Sequence, residues 1–145
     1  LLLSKTGDIT LQTVPLPPGN PLNTIKLAST NINSDNRFLY HKTTNRGIYD
    51  KFHAEAEPDA DDVLLYNERS EITECTIANI AIQLERSGPW YTPPVSSGLL
   101  NGTMRRRLLE QREITERVIT IDEIKSANAI KLMNSVRGLF EVKLL

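Results

Sequence analysis

Cysteine is nearly absent. Cys75 stands alone in 145 residues, so an internal disulfide is impossible and a reducing, cytoplasmic setting is expected. Histidine is scarce as well: His41 and His53 lie too far apart in sequence for a local metal motif, no cysteine pair accompanies them, and no metal site is expected. Charge of one sign is lacking, because 17 Lys and Arg against 18 Asp and Glu leave a formal net charge of −1. Nothing global therefore favours nucleic acid or an anionic membrane surface. No apolar run approaches the roughly 20 residues of a membrane helix. The opening Leu1-Leu2-Leu3 has no Met and no charged leader; it does not read as a signal peptide, and the chain reads as one entered partway through.

What is present is an ordinary globular balance, 39% apolar and 24% charged, in a length that suits one domain with its own core. Residues 1–14 read as a hairpin turning at Gly7-Asp8, and residues 15–21 (PLPPGNP) as a stiff, proline-rich connector. Strands are expected over 24–29, 63–66, 71–75, 79–84, 89–92, 117–121, 129–133 and 139–145. Residues 59–62 read as an acidic turn. Ile48, Phe52 and Ala56 at spacing four predict a helix over 42–56. A second helix is expected over 103–111, and a short one capped by Asp122. Strands and helices alternate irregularly, which suggests a mixed α/β domain and not a regular βαβ series.

Four stretches concentrate chemistry. In YHKTTNR (40–46) one amine, Lys42, sits among Thr43, Thr44, Asn45 and Arg46, which supply dense hydrogen-bonding capacity. In EITECTIAN (71–79) Glu74 ends a strand; it is either an exposed carboxylate or a buried one facing a cation, where each charge favours the other. In GLLNGTMRRR (98–107) Gly102-Thr103 opens a helix whose N–H groups form a ready anion site. Successive Arg105, Arg106 and Arg107 point in three directions around that helix, so they make no nucleic-acid stripe. In LMNSVRG (132–138) Asn134 and Ser135 form a polar turn with a hydroxyl and N–H groups for a phosphate. Cys75 gives no case for a nucleophile. Asn101-Gly102-Thr103 fits a glycosylation sequon, and nothing else suggests secretion.

The order HKTTNR, EITECTIANI, TPPVSSGLLNGTMRRRLLE and KLMNSVRG resembles the C-terminal part of the aminodeoxychorismate lyase and branched-chain aminotransferase family, the fold-type IV pyridoxal-phosphate enzymes, over about residues 37–142. The resemblance implies the C-terminal domain of the D-amino acid aminotransferase-like fold, with strands in a barrel-like sheet and flanking helices. It implies a cofactor domain over 22–145, preceded at 1–21 by the end of an N-terminal region and its linker. It implies pyridoxal 5'-phosphate as cofactor, with Lys42 as Schiff-base lysine and proton shuttle. Glu74 would lie against the ring nitrogen and Asn79 would support the Glu74 turn. Gly102, Thr103 and Met104 would receive the phosphate, and Asn134 and Ser135 would lie near phosphate or substrate. Arg46 and Arg105 match family positions near the substrate. Many members carry Gly-Ile-Thr-Arg where this chain has Gly102-Thr103-Met104-Arg105; Met104 resembles the lyases. The implied reaction is conversion of 4-amino-4-deoxychorismate to 4-aminobenzoate and pyruvate in folate precursor synthesis. An aminotransferase of the branched-chain or D-amino acid type, or a non-catalytic remnant domain, are the alternatives. The implied partners are a small amino substrate, a second copy of the chain, and an N-terminal domain of the same protein carrying a phosphate-binding arginine.

Overall fold

The computed structural model describes residues 1–16 and 22–145, so most of the expected proline-rich connector (17–21) lies outside the described residues. The expected N-terminal hairpin narrows to β1 (Leu2–Leu3) and β2 (Ile9–Thr10), an isolated antiparallel pair. Its turn uses Gly7 at φ +92, a conformation that glycine adopts without a Cβ clash.

The remaining strands are β3 (Thr24–Leu27), β4 (Asp62–Tyr66), β5 (Ile72–Cys75), β6 (Asn79–Gln83), β7 (Trp90–Thr92), β8 (Thr115–Glu116), β9 (Ala129–Asn134) and β10 (Gly138–Leu144). They form one mixed sheet in the order β5-β4-β3-β10-β9-β6-β7-β8. The sheet curls until its ends meet. Ile72 N in β5 donates to Ile119 O just beyond β8, at 2.7 Å, and Glu71 forms an antiparallel bridge with Thr120. Curling removes an exposed edge that would otherwise invite pairing with other chains. Residues 117–121, expected as a strand, act as this closing segment, and β8 lies earlier, at Thr115–Glu116.

Alternation along the strands sorts the core into an inside and two outer seams. Leu64, Ile80, Ile82, Ile130 and Leu132 point into the curl with Ile25, Ile72 and Ile119. Val63 and Leu65, one residue out of phase, face Tyr49 and Phe52 of α1 (Gly47–His53). Ala81 and Met133 face Leu108 of α2 (Thr103–Glu110). β4 is thus covered on both faces, which explains its uninterrupted apolar run.

Three local expectations are corrected. The helix expected over 42–56 begins only at Gly47 and ends at His53. The Thr43 hydroxyl offers the backbone a local hydrogen bond in place of a helical one, accepting from Asn45 N at 3.2 Å. Asp62, expected in an acidic turn, opens β4 fully buried; its Oδ1 accepts from Val63 N at 2.8 Å and from the Thr76 hydroxyl at 2.5 Å. The cap of α3 (Ile121–Lys125) is Thr120, not Asp122: its hydroxyl accepts from Glu123 N while the Glu123 carboxylate takes Thr120 N, a reciprocal capping box. Among the described residues no helix is long and apolar enough to cross a membrane.

Candidate active site

One hollow of about 680 Å³ gathers Lys42, Arg46, Glu74, Asn79, Gly102, Thr103, Met104, Asn134 and Ser135. The volume falls in the range of small-molecule pockets. These residues come from five separate places. Lys42 lies in the irregular stretch between the 3-10 turn Arg37–Leu39 and α1, and is exposed. Glu74 is on β5 and Asn79 opens β6. Gly102, Thr103 and Met104 start α2, while Asn134 and Ser135 make the turn from β9 to β10. The two side chains farthest apart in chemistry, the Lys42 amine and the Glu74 carboxylate, share this hollow.

Glu74 is the electrostatic centre. It is only 5% exposed, and burial pushes its carboxyl from an ordinary 4.5 up to about 8. Burial disfavours the charged form and wins over the groups that favour it. Those groups are the Tyr49 hydroxyl, which donates to Oε1 at 2.8 Å, and Leu100 N, which donates to the same oxygen at 3.1 Å. The charges of Lys42 and Arg105 pull in the same direction. On Oε2 the donor is Asn79 Nδ2, at 2.9 Å. A cation entering the hollow would find a carboxyl that it can ionise.

Asn79 also explains Gly102. Its amide donates to Glu74 Oε2 and to Leu100 O, each at 2.9 Å, so it cannot swing aside. A Cβ at position 102 would stand 2.2 Å from Asn79 Oδ1. The backbone there is ordinary, at φ −63; the demand for glycine comes from this close approach. Gly102→Ala is therefore expected to lower stability in denaturant unfolding by about 1–3 kcal/mol, despite the better helix propensity of alanine. Unchanged stability would show that the Asn79 brace is not rigid.

Gly102 gives α2 no side-chain cap, so the N–H groups of the first turn open on the hollow, where negative charge is favoured. The Thr103 and Ser135 hydroxyls hydrogen-bond each other across its rim. The Asn134 side chain shapes the opposite turn by accepting from Val136 N and Arg137 N at 3.0 and 2.9 Å.

Arg105 departs from its expected place near the substrate. It does not line the hollow; it is 1% exposed, and its Nη2 reaches Pro93 O at 2.8 Å and Glu116 Oε1 at 2.5 Å. It ties α2 to β8 beneath the site. Arg46 does line the hollow, but its Nη2 donates to Thr76 O at 2.9 Å and its guanidinium covers the Tyr49 ring at 5.2 Å. Tyr49, Leu100 and the Thr76-Ile77-Ala78 turn also line the hollow; the last two lie within the marked stretches without a role of their own, and Tyr49 reads simply as one more residue on an apolar helix face. Cys75 is buried, and burial followed by the charges of Asp62 and Glu74 pushes its thiol well above the ordinary value, which leaves it inert.

Known proteins resemble the chain along nearly its whole length. The family model for Amino-transferase class IV matches residues 3–145. A protein of Schizosaccharomyces pombe named "Putative aminodeoxychorismate lyase" is 38% identical over 147 residues, covering 93% of this chain and 61% of that protein. The aminodeoxychorismate lyase of Saccharomyces cerevisiae is 30% identical over 182 residues, covering 95% of this chain. The chain thus spans 61% and 49% of the lengths of these two curated relatives. Among solved structures, a "Putative amino-acid aminotransferase" from Mesorhizobium loti superposes with a TM-score of 0.91 at 38% identity, covering 99% of this chain and 70% of that one. The expected mixed α/β fold with a curled, barrel-like sheet is the fold of this neighbour.

Proposed function

The chain belongs to the amino-transferase class IV family, and from that premise we propose that the whole protein is a pyridoxal-phosphate enzyme that cleaves 4-amino-4-deoxychorismate to 4-aminobenzoate and pyruvate. The observation that carries this reading is the meeting of Lys42 and Glu74 in one hollow. The donor set fits the cofactor at three points. An aldehyde needs an amine, and Lys42 offers one. A pyridinium nitrogen needs a carboxylate shielded from water, and Glu74 is buried with its charge held back. A phosphate needs N–H donors, which the first turn of α2 supplies beside the Thr103 and Ser135 hydroxyls.

When bound, pyridoxal phosphate supplies an electron sink for the carbon that bears the substrate's amine. The Lys42 amine would hold the cofactor through its aldehyde and would serve as the base for the proton on the substrate's amine-bearing carbon. Breaking of the ring C–O bond would expel enolpyruvate, which takes up a proton to become pyruvate, and the ring left behind would be the aromatic 4-aminobenzoate. Glu74 would keep the ring nitrogen protonated, and Asn79 with Leu100 N keeps Glu74 in place. Met104 and the HKTTNR sequence favour the lyase, in keeping with the lyase names of the two yeast relatives.

Incubation of the full-length protein with 4-amino-4-deoxychorismate is expected to release pyruvate and 4-aminobenzoate in equal amounts. Pyruvate no faster than in the enzyme-free control would overturn the lyase reading. The M. loti neighbour motivates a second reading, amino-group transfer; glutamate formed from 2-oxoglutarate and an amino donor would establish it instead.

A further inference from the structure

Tyr49 bonds Glu74 directly, yet neither the sequence motifs nor the proposed reaction employs it. It is buried on the third residue of α1. Two tethers join that helix to the end of β5. The Tyr49 hydroxyl donates to Glu74 Oε1 at 2.8 Å, and Arg46, three residues earlier, donates from Nη2 to Thr76 O at 2.9 Å. The Arg46 guanidinium also lies over the Tyr49 ring at 5.2 Å, so the phenol is fixed on one face by a cation–π contact and at its tip by the carboxylate.

A carboxylate offers about four acceptor positions, two on each oxygen. Oε1 receives Tyr49 Oη and Leu100 N, which fills it. Among the described residues Oε2 receives only Asn79 Nδ2. One position is left, and it is on Oε2. We infer that Tyr49 is a positioning residue for the cofactor: by filling Oε1 it directs the cationic ring nitrogen to Oε2 of Glu74 and favours the ionised carboxylate there. The inference rests on the cofactor reading above.

The phenol remains a donor throughout the working pH range, because burial, and after it the Glu74 charge, pushes its ionisation well above the ordinary value. The Tyr49 hydrogen bond is the foremost of the contributions that pull Glu74 back from the full effect of its burial. Without it the carboxyl would hold its proton to higher pH, and a protonated carboxyl does not keep a ring nitrogen cationic.

The test uses the full-length protein, free of cofactor, with 13C-labelled glutamate; the resonance lost in Glu74→Gln identifies Glu74. In Tyr49→Phe the ionisation midpoint of that resonance is expected to rise by about one pH unit, the size of a hydrogen bond to a charged group. Pyridoxal phosphate is expected to bind the variant about tenfold more weakly at pH 7, with the deficit shrinking above the new midpoint. A purely structural role would weaken binding equally at every pH. Should the phenylalanine variant not fold, 3-fluorotyrosine at position 49, of nearly the same shape and a stronger donor, is expected to move the midpoint down. An unmoved midpoint in either protein overturns the inference. If the parent binds the cofactor and Tyr49→Phe binds it equally at all pH values, this inference alone falls; if the parent binds none, the proposed function falls with it.

Discussion

Lys42→Ala in the full-length protein is expected to abolish covalent capture of pyridoxal phosphate and to slow product formation at least ~10³-fold, since one amine serves as both attachment point and base. The readout is direct: borohydride reduction of the loaded parent should fix the cofactor mass on the peptide containing residue 42, and the variant should show no such adduct. Stability gives the control. Lys42 is exposed, and replacing an exposed side chain ordinarily changes stability by no more than about 0.5 kcal/mol. A folded, inactive variant with the parent's unfolding midpoint is therefore the expected outcome. A trapped adduct on any other lysine would remove Lys42 from its role.

Glu74→Gln is expected to change how stability depends on pH. The folded carboxyl ionises at about 8, above the 4.5 of an unburied glutamate. Below about 4.5 the folded and unfolded chains both carry this proton. Between about 4.5 and 8 the unfolded chain has released it while the folded chain keeps it, so folding takes up a proton and stability falls as pH rises. Above about 8 both have lost it and the dependence levels off. The total loss across this window is on the order of a few kcal/mol. The glutamine variant should lack this component, so the difference in unfolding free energy between variant and parent should drift by that amount between pH 5 and 8. Absolute stability is a poor readout here, because the amide that replaces the carboxyl would face the Asn79 donor. The carboxyls of Asp61, Glu68, Glu71 and Glu123 are all held below their ordinary values by hydrogen bonds; they act at lower pH and cancel in the difference. A flat difference would mean that Glu74 is already ionised in the cofactor-free protein.

Much of the site was readable from residue order. HKTTNR and EITECTIAN point to Lys42, Glu74 and Asn79 through their resemblance to the family's motifs, and Gly102-Thr103 marks a helix start because glycine punctuates the chain. The same local logic failed where partners distant in sequence took over. Arg105 follows the glycine turn in the motif, yet Glu116 and Pro93 O draw its guanidinium under α2 and away from the hollow. Asp62 has the look of a solvated turn, yet it is buried, with its Oδ1 accepting from Thr76 and Val63 inside the fold. The helix expected from Lys42 onward starts five residues late, where the Thr43 hydroxyl takes the Asn45 N–H in place of a helical carbonyl.

Apolar patterning was enough to nominate strands over 63–66, 79–84 and 129–133, and residue type was enough to nominate an amine, a carboxylate and an anion-binding helix start. Those are properties of neighbours along the chain. The curling of the sheet, the seating of Tyr49 on Glu74 and the 2.2 Å approach that requires glycine at 102 were decided only by tertiary structure. Each depends on groups more than twenty residues apart meeting in a dry interior, and it is that exclusion of water, absent from any local pattern, that lifts Glu74 to about 8.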